Sequence, residues 1–147
     1  MQKIGYLIIL LAIAIFLYSK YPRKVNKIIE QKIGNQNFSL EIADNVYLLG
    51  KGLSKRSTLC KNCGMLFTFG FETLQTFWMK DTLIPLDMIF VNANGQITNI
   101  FTANPEPGKN DFELTLYQAS AKYIIELNAK TSEKIGLKKG DIINLNL

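Results

Sequence analysis

The hydrophobic pattern divides the chain into two unlike parts. Residues 4–18, IGYLIILLAIAIFLY, are apolar without interruption. No polar face breaks the run, so it does not read as a core helix of the domain. Its length falls between a signal-peptide core of about 7–15 residues and a full span of about 20. Tyr6, Tyr18 and Tyr21 can sit at the two interfaces and lengthen the effective span. The next residues, SKYPRKV, offer no small-x-small cleavage pattern. The pattern therefore predicts an uncleaved anchor in residues 1–22, with a cleaved signal peptide as the alternative. Pro22 ends any helix there, because its ring removes a donor and crowds the preceding turn. Residues 23–37, RKVNKIIEQKIGNQN, read as a polar tether with at most one helical turn.

From residue 38 the period changes to two, the period of half-buried strands. Residues 38–49 alternate around Asp44-Asn45 and predict a hairpin. A polar connection over 50–59 precedes a strand at 65–69 and a loop at 70–76. Residues 87–92 and 96–101 form a second hairpin through Asn92-Ala93-Asn94-Gly95, since Asn-Gly readily takes the positive backbone angles of a tight turn. A Pro- and Gly-bearing loop covers 103–111. Residues 114–116 are weakly β, and KYIIEL at 122–127 is a strand. Thr131 is placed to cap a short helix ending at Gly136, and Gly140-Asp141 turns the chain into a last strand at 142–147. Many short strands separated by turns predict a mainly β domain over 38–147. The expected form is a compact antiparallel barrel or sandwich with one or two short helices, behind an N-terminal hydrophobic helix.

Charge adds to this picture mainly by its position. The net charge is +5, but five of the 17 basic residues and none of the 12 acidic ones lie in the first 27 positions. The remainder carries 12 of each and is neutral, which gives little drive toward a phosphate backbone; nucleic acid is not an expected partner. The expected partners are a membrane, through residues 4–18, and a small ligand or envelope component. The basic residues after the run favour a cytoplasmic C-terminal side, whereas short N-terminal anchors more often export the domain behind them. The expected location is the cytoplasmic membrane, with the domain on its outer side. The chain has no His. That removes His-based acid–base catalysis, Ser-His-Asp and Cys-His arrangements, and His-ligated metals. No cofactor and no metal are expected.

Candidate chemistry gathers in residues 77–91, FWMKDTLIPLDMIFV. Lys80, Asp81 and Asp87 lie within the most apolar part of the domain, where a charge must be paired or poised for use. Glu126 stands in a second apolar strand, IIELN. Two readings stand side by side. In one, Arg56, Trp78, Lys80, Asp81, Thr82, Asp87 and Glu126 form a ligand pocket, with Trp78 as an apolar wall; the carboxylates of Asp81, Asp87 and Glu126 could then work as acid and base in a hydrolase. In the other, the charges staple the fold: Asp87 accepts N–H bonds near Pro85, and Glu126 pairs with Arg56 or Lys80. Cys60 and Cys63 allow a small disulfide loop, a reduced pair, or half of a metal or redox site. Zinc would need two further ligands, and a strand rather than a helix comes after the first Cys.

The same residues carry a family resemblance. GLSKR at 52–56, GMLFTF at 64–69, FWMKDTLIPLDMIFVNANGQI at 77–97, AKYIIELNA at 121–129 and GLKKGDII at 136–143 resemble the domain-of-unknown-function 192 family. The resemblance spans roughly residues 38–147. It implies a mostly β fold of sandwich or barrel type, often behind a signal or anchor, and no established activity, cofactor or substrate. Asp81 stands where Asn is usual in that family, and Ser54 where Met is frequent.

Overall fold

A computed structural model describes residues 27–147. The expected anchor in residues 1–22, the membrane contact through residues 4–18 and the first part of the tether lie outside the described residues. The described chain runs β1 (Ile28–Ile33), β2 (Gln36–Ala43), α1 (Val46–Lys51), β3 (Cys63–Phe77), β4 (Leu86–Val91), β5 (Ile97–Ala103), β6 (Tyr117–Asn128) and α2 (Thr131–Lys134). The six strands make one sheet in the order β1-β2-β3-β6-β4-β5. It is mainly β with two short helices, but it is neither a closed barrel nor wholly antiparallel: β1 and β5 are its edges, and β2 pairs with β3 in parallel.

The parallel pair explains the departure. Parallel neighbours need a crossover, and α1 with the loop after it supplies one. Asp44-Asn45 therefore does not turn a hairpin. Asn45 is instead the N-cap of α1, its side chain accepting the Leu48 N–H at 3.1 Å. The first hairpin lies earlier, at Gly34-Asn35, with Gly34 at φ 59°. Thus β1 occupies part of the segment expected to be a tether. Its polar residues are those of an edge strand: Gln31 is buried, but its amide donates 2.8 Å bonds to the carbonyls of Lys32 and Asn144 and its Oε1 accepts the Asn146 N–H at 2.9 Å.

The hairpin of β4 and β5 forms as expected. Asn92 Oδ1 accepts the N–H groups of Asn94 and Gln96 at 3.0 and 2.9 Å, and Gly95 sits at φ 81°. Strand β3 is much longer than expected. Its distal half, read as a loop at 70–76, pairs with the first half of β6 from Thr73↔Ala121 to Phe77↔Tyr117. That arm is largely exposed on β3, so no apolar alternation marks it in the sequence. Residues 142–147 form no strand. They lie along the sheet end through a Gln96↔Ile142 bridge and the Ile143 N–H to Gly95 O bond of 2.8 Å.

Strand β4 is buried at all six positions, which places a core on each face of the sheet. Leu86, Met88 and Phe90 join Leu48, Leu53, Met65, Phe67, Met79 and Ile124 on one face. Ile89 and Val91 join Phe38, Leu40, Leu66, Ile125, Leu127 and Ile143 on the other, with Ile135 of the segment after α2 packed against them. Strands β2, β3 and β6 approach closely at Gly64, where a Cβ would stand 2.5 Å from the Glu126 carbonyl oxygen and 2.8 Å from a Leu40 methyl.

Candidate functional site

Strand alternation separates the two carboxylates that the sequence put forward together. Asp87 lies between Leu86 and Met88 and points to the opposite face from them. It is wholly buried and fully engaged. Its Oδ1 accepts the Thr102 hydroxyl at 2.7 Å and the Lys130 N–H at 3.0 Å, and its Oδ2 accepts the Ser132 N–H at 2.8 Å. Asp87 thus caps α2 from a strand some forty positions earlier in the chain. Thr131 does not cap: the N-cap is Lys130, left-handed at φ 64° and without a side-chain cap bond. The N–H groups near Pro85 are not the partners of Asp87 either.

Glu126 has the contrary environment. In the register it stands between Met65 on β3 and Met88 on β4, on the face of α1. It is 5% exposed, and its Oε2 has no hydrogen-bond partner. Burial pushes its carboxyl up to about 8, against a smaller opposing pull from the Arg56 charge. The expected Glu126 partners are committed elsewhere. Arg56 forks onto Glu41, with Nη2 to Oε2 at 2.7 Å, and this bond holds its guanidinium above the ordinary value. Lys80 pairs at 2.5 Å with Asp111 of the loop after β5.

Above Glu126 opens a cleft of about 420 Å³. The turn after α1 forms one side, where a Cβ on Gly52 would lie 4.0 Å from Glu126 Oε2 and 3.3 Å from the Phe67 ring. Phe67, Phe69 and Phe77 of β3 form an aromatic wall continued by Trp78, and the 80–82 turn closes the mouth. Asp81 takes φ 54° in that turn and its carbonyl accepts the Lys55 N–H at 2.8 Å; Asp and Asn are the side chains that tolerate this conformation best apart from Gly. Thr82 is buried beneath, its N–H bonded to Met79 O at 3.1 Å.

Of the residues put forward from sequence, Trp78, Lys80, Asp81, Thr82 and Glu126 line this one cleft. Arg56 acts on Glu126 only through its charge, and Asp87 belongs to the other face. A three-carboxylate catalytic group is therefore not assembled. Sequence reasoning missed Gly52, Ser54, Phe67 and Phe69, whereas Phe77 opens the stretch where it gathered the candidate chemistry. The period-two spacing of Phe67 and Phe69 places them on one face, which was the available signal.

Cys60 and Cys63 are joined as a disulfide, with Cα atoms 5.1 Å apart, and Asn128 Nδ2 donates to the Cys60 carbonyl at 2.8 Å. The pair staples the turn that opens β3. A second cleft, of about 350 Å³, lies beside it, bordered by Lys61, Asn128, Thr131 and Lys134. Among the described residues no group of three or more acidic or Cys side chains could hold a metal ion, and no helix is long and apolar enough to cross a membrane.

Comparison with known proteins agrees with the fold and leaves the chemistry open. A protein of unknown function from Novosphingobium aromaticivorans DSM 12444 superposes with a TM-score of 0.72 at 28% identity, covering 85% of this chain and 90% of its own. A candidate transcription regulator from Sinorhizobium meliloti 1021 gives 0.67 at 30% identity, covering 74% of this chain and 82% of its own. No curated protein matches. The family profile described as Uncharacterized ACR matches residues 28–145, nearly the whole described domain and including β1. The chain belongs to the domain-of-unknown-function 192 family, DUF192.

Proposed function

We propose that the protein is a membrane-anchored binding module of the cell envelope, which holds a small organic ligand in the cleft over Glu126. One observation carries the binding part: a buried carboxyl with an unpartnered oxygen at the floor of an open, aromatic-walled cleft. A polar group left unsatisfied in that position costs about 1–3 kcal/mol, and a ligand that bonds it recovers this. A structural role would have tied the acid to Arg56 or Lys80; both have other partners. The anchor rests on the apolar run of residues 4–18. The outward placement draws support from the Cys60–Cys63 disulfide, a bond that persists in oxidising compartments. The neutral balance of residues 28–147 gives no reason to carry DNA regulation over from the Sinorhizobium relative.

The test is native mass spectrometry of the full-length chain taken from its own membrane fraction, with thiols alkylated at lysis. A small-molecule adduct on the wild type that is lost in Glu126→Leu supports the cleft as the site. A bare protein in both overturns the binding reading. Two alkylated thiols would overturn the outward placement.

A further inference from the structure

The surroundings of Glu126 also select among ligands. Three accessible aromatic side chains line the cleft, Phe69, Phe77 and Trp78, over the buried ring of Phe67. Phe77 stands edge-on to its neighbours, with centroids 4.9 Å from Phe67 and 6.5 Å from Phe69 at interplanar angles of 85° and 81°. Ring faces are the negative ends of aromatic quadrupoles and attract organic cations. Beneath the rings lies an acid with an unpartnered oxygen. The neighbouring cations are turned to other work: Arg56 to Glu41, Lys80 to Asp111, and Lys51 to the Tyr47 ring at 5.8 Å. The other acid lining the cleft, Asp81, adds a negative charge at its mouth.

We infer that the cleft takes a small organic cation, an ammonium group seated against the aromatic wall with Glu126 as its counter-ion. The inference rests on the reading of the cleft as a binding site and adds the class of ligand. A neutral hydrogen-bond acceptor would want the opposite state of the acid, protonated and donating. The two classes therefore differ in the sign of their pH dependence. Burial keeps the free acid protonated up to about pH 8. A bound cation displaces that proton to solvent, so its affinity rises with pH, by about 50-fold between pH 6 and 8 for a site with that ionisation midpoint. The charged groups that face the cleft or its floor are Arg56 with its partner Glu41, Lys51, Lys80 and Asp81, and none is hydrogen-bonded to Glu126 Oε2.

Choline and its uncharged isostere 3,3-dimethylbutan-1-ol form the test pair. Trp78 is the sole tryptophan of the sequence and lines the cleft, so its fluorescence reports binding to the full-length chain. The expected result is choline binding about 50-fold tighter at pH 8 than at pH 6, and at least tenfold tighter than the alcohol at pH 8. Glu126→Gln should lose this preference and the pH dependence while still unfolding cooperatively. Trp78→Ala, an exposed position, should weaken choline with the fold intact, read by calorimetry. Equal affinity for the two probes, or choline affinity that is flat or falls with pH, overturns the cation assignment. Binding of the alcohol through Glu126 without choline overturns it and leaves the cleft as a site. Failure of both probes also overturns it, and the native mass spectrum then decides whether the cleft binds anything.

Discussion

Glu126 and Asp87 are both acids in apolar strands, and only their partners distinguish them. Asp87 receives three hydrogen bonds; Glu126 Oε2 receives none. The ionisation of Glu126 therefore works against the fold. Its carboxyl loses a proton at about 8 in the folded chain and at the ordinary value of 4.5 when exposed. The protonated acid contributes its full stability below pH 4.5, and that contribution is lost as pH rises through 8. Glu126→Gln should accordingly flatten the pH profile of stability. At pH 9 the variant should exceed the wild type by on the order of 3–5 kcal/mol, shrinking to near zero at pH 4, in urea titrations across that range. A profile unchanged by the substitution would mean that Glu126 is paired. The sequence exposed the burial of both acids, since each interrupts an apolar run. It could not reveal which face each occupies, because that depends on neighbours brought from elsewhere in the chain.

At the scale of elements, turn residues were legible where the bonding is local. Asn92 to Gly95 closes the hairpin with its own side chain and backbone, and sequence suffices to find it. Asp44-Asn45 carries the same residue types, but Asn45 caps a helix instead of turning a hairpin. Asn serves both purposes, and only the parallel pairing of β2 with β3 settles which. Helix α2 is the clearest case of remote control. It has four residues, no capping side chain of its own, and N–H groups answered from β4 by Asp87. Too short to be stable alone, it depends on that carboxylate. Asp87→Asn replaces one acceptor by a donor facing a backbone N–H or the Thr102 hydroxyl. It should cost about 2–4 kcal/mol and lower Tm, with hydrogen exchange at residues 130–136 accelerated first. Ligand binding at the cleft should persist in the folded fraction. Loss of binding without loss of stability would return Asp87 to the site.

Across the whole molecule, the sheet divides stability from recognition. One face carries α2, the C-terminal segment and one core; the other carries α1, the aromatic-walled cleft and Glu126. The C-terminal segment is part of the fold although it forms no strand. Ile143 is buried, and Gln31 of β1 bonds residues 144 and 146. Ending the chain after Gly140 should cost about 3–5 kcal/mol by uncovering one core and removing the Gln31 bonds to residues 144 and 146, measured as a shift in the urea midpoint. A mainly β architecture was readable from the period-two runs. Openness of the sheet was not, because closure depends on whether β1 and β5 meet, and β1 had been read as tether.

The strand order also bears on when the protein can fold. Strand β6 sits between β3 and β4, yet it is the last strand made. During synthesis the β1–β2 and β4–β5 hairpins can pair as soon as they emerge, but nothing joins the two halves until about residue 128 has left the ribosome. The β3–β6 ladder then links positions as far apart as Gly64 and Leu127, the kind of non-local pairing that forms slowly. For most of its length the growing chain can form separate hairpins but not the complete sheet. The sheet locks only after its central strand arrives.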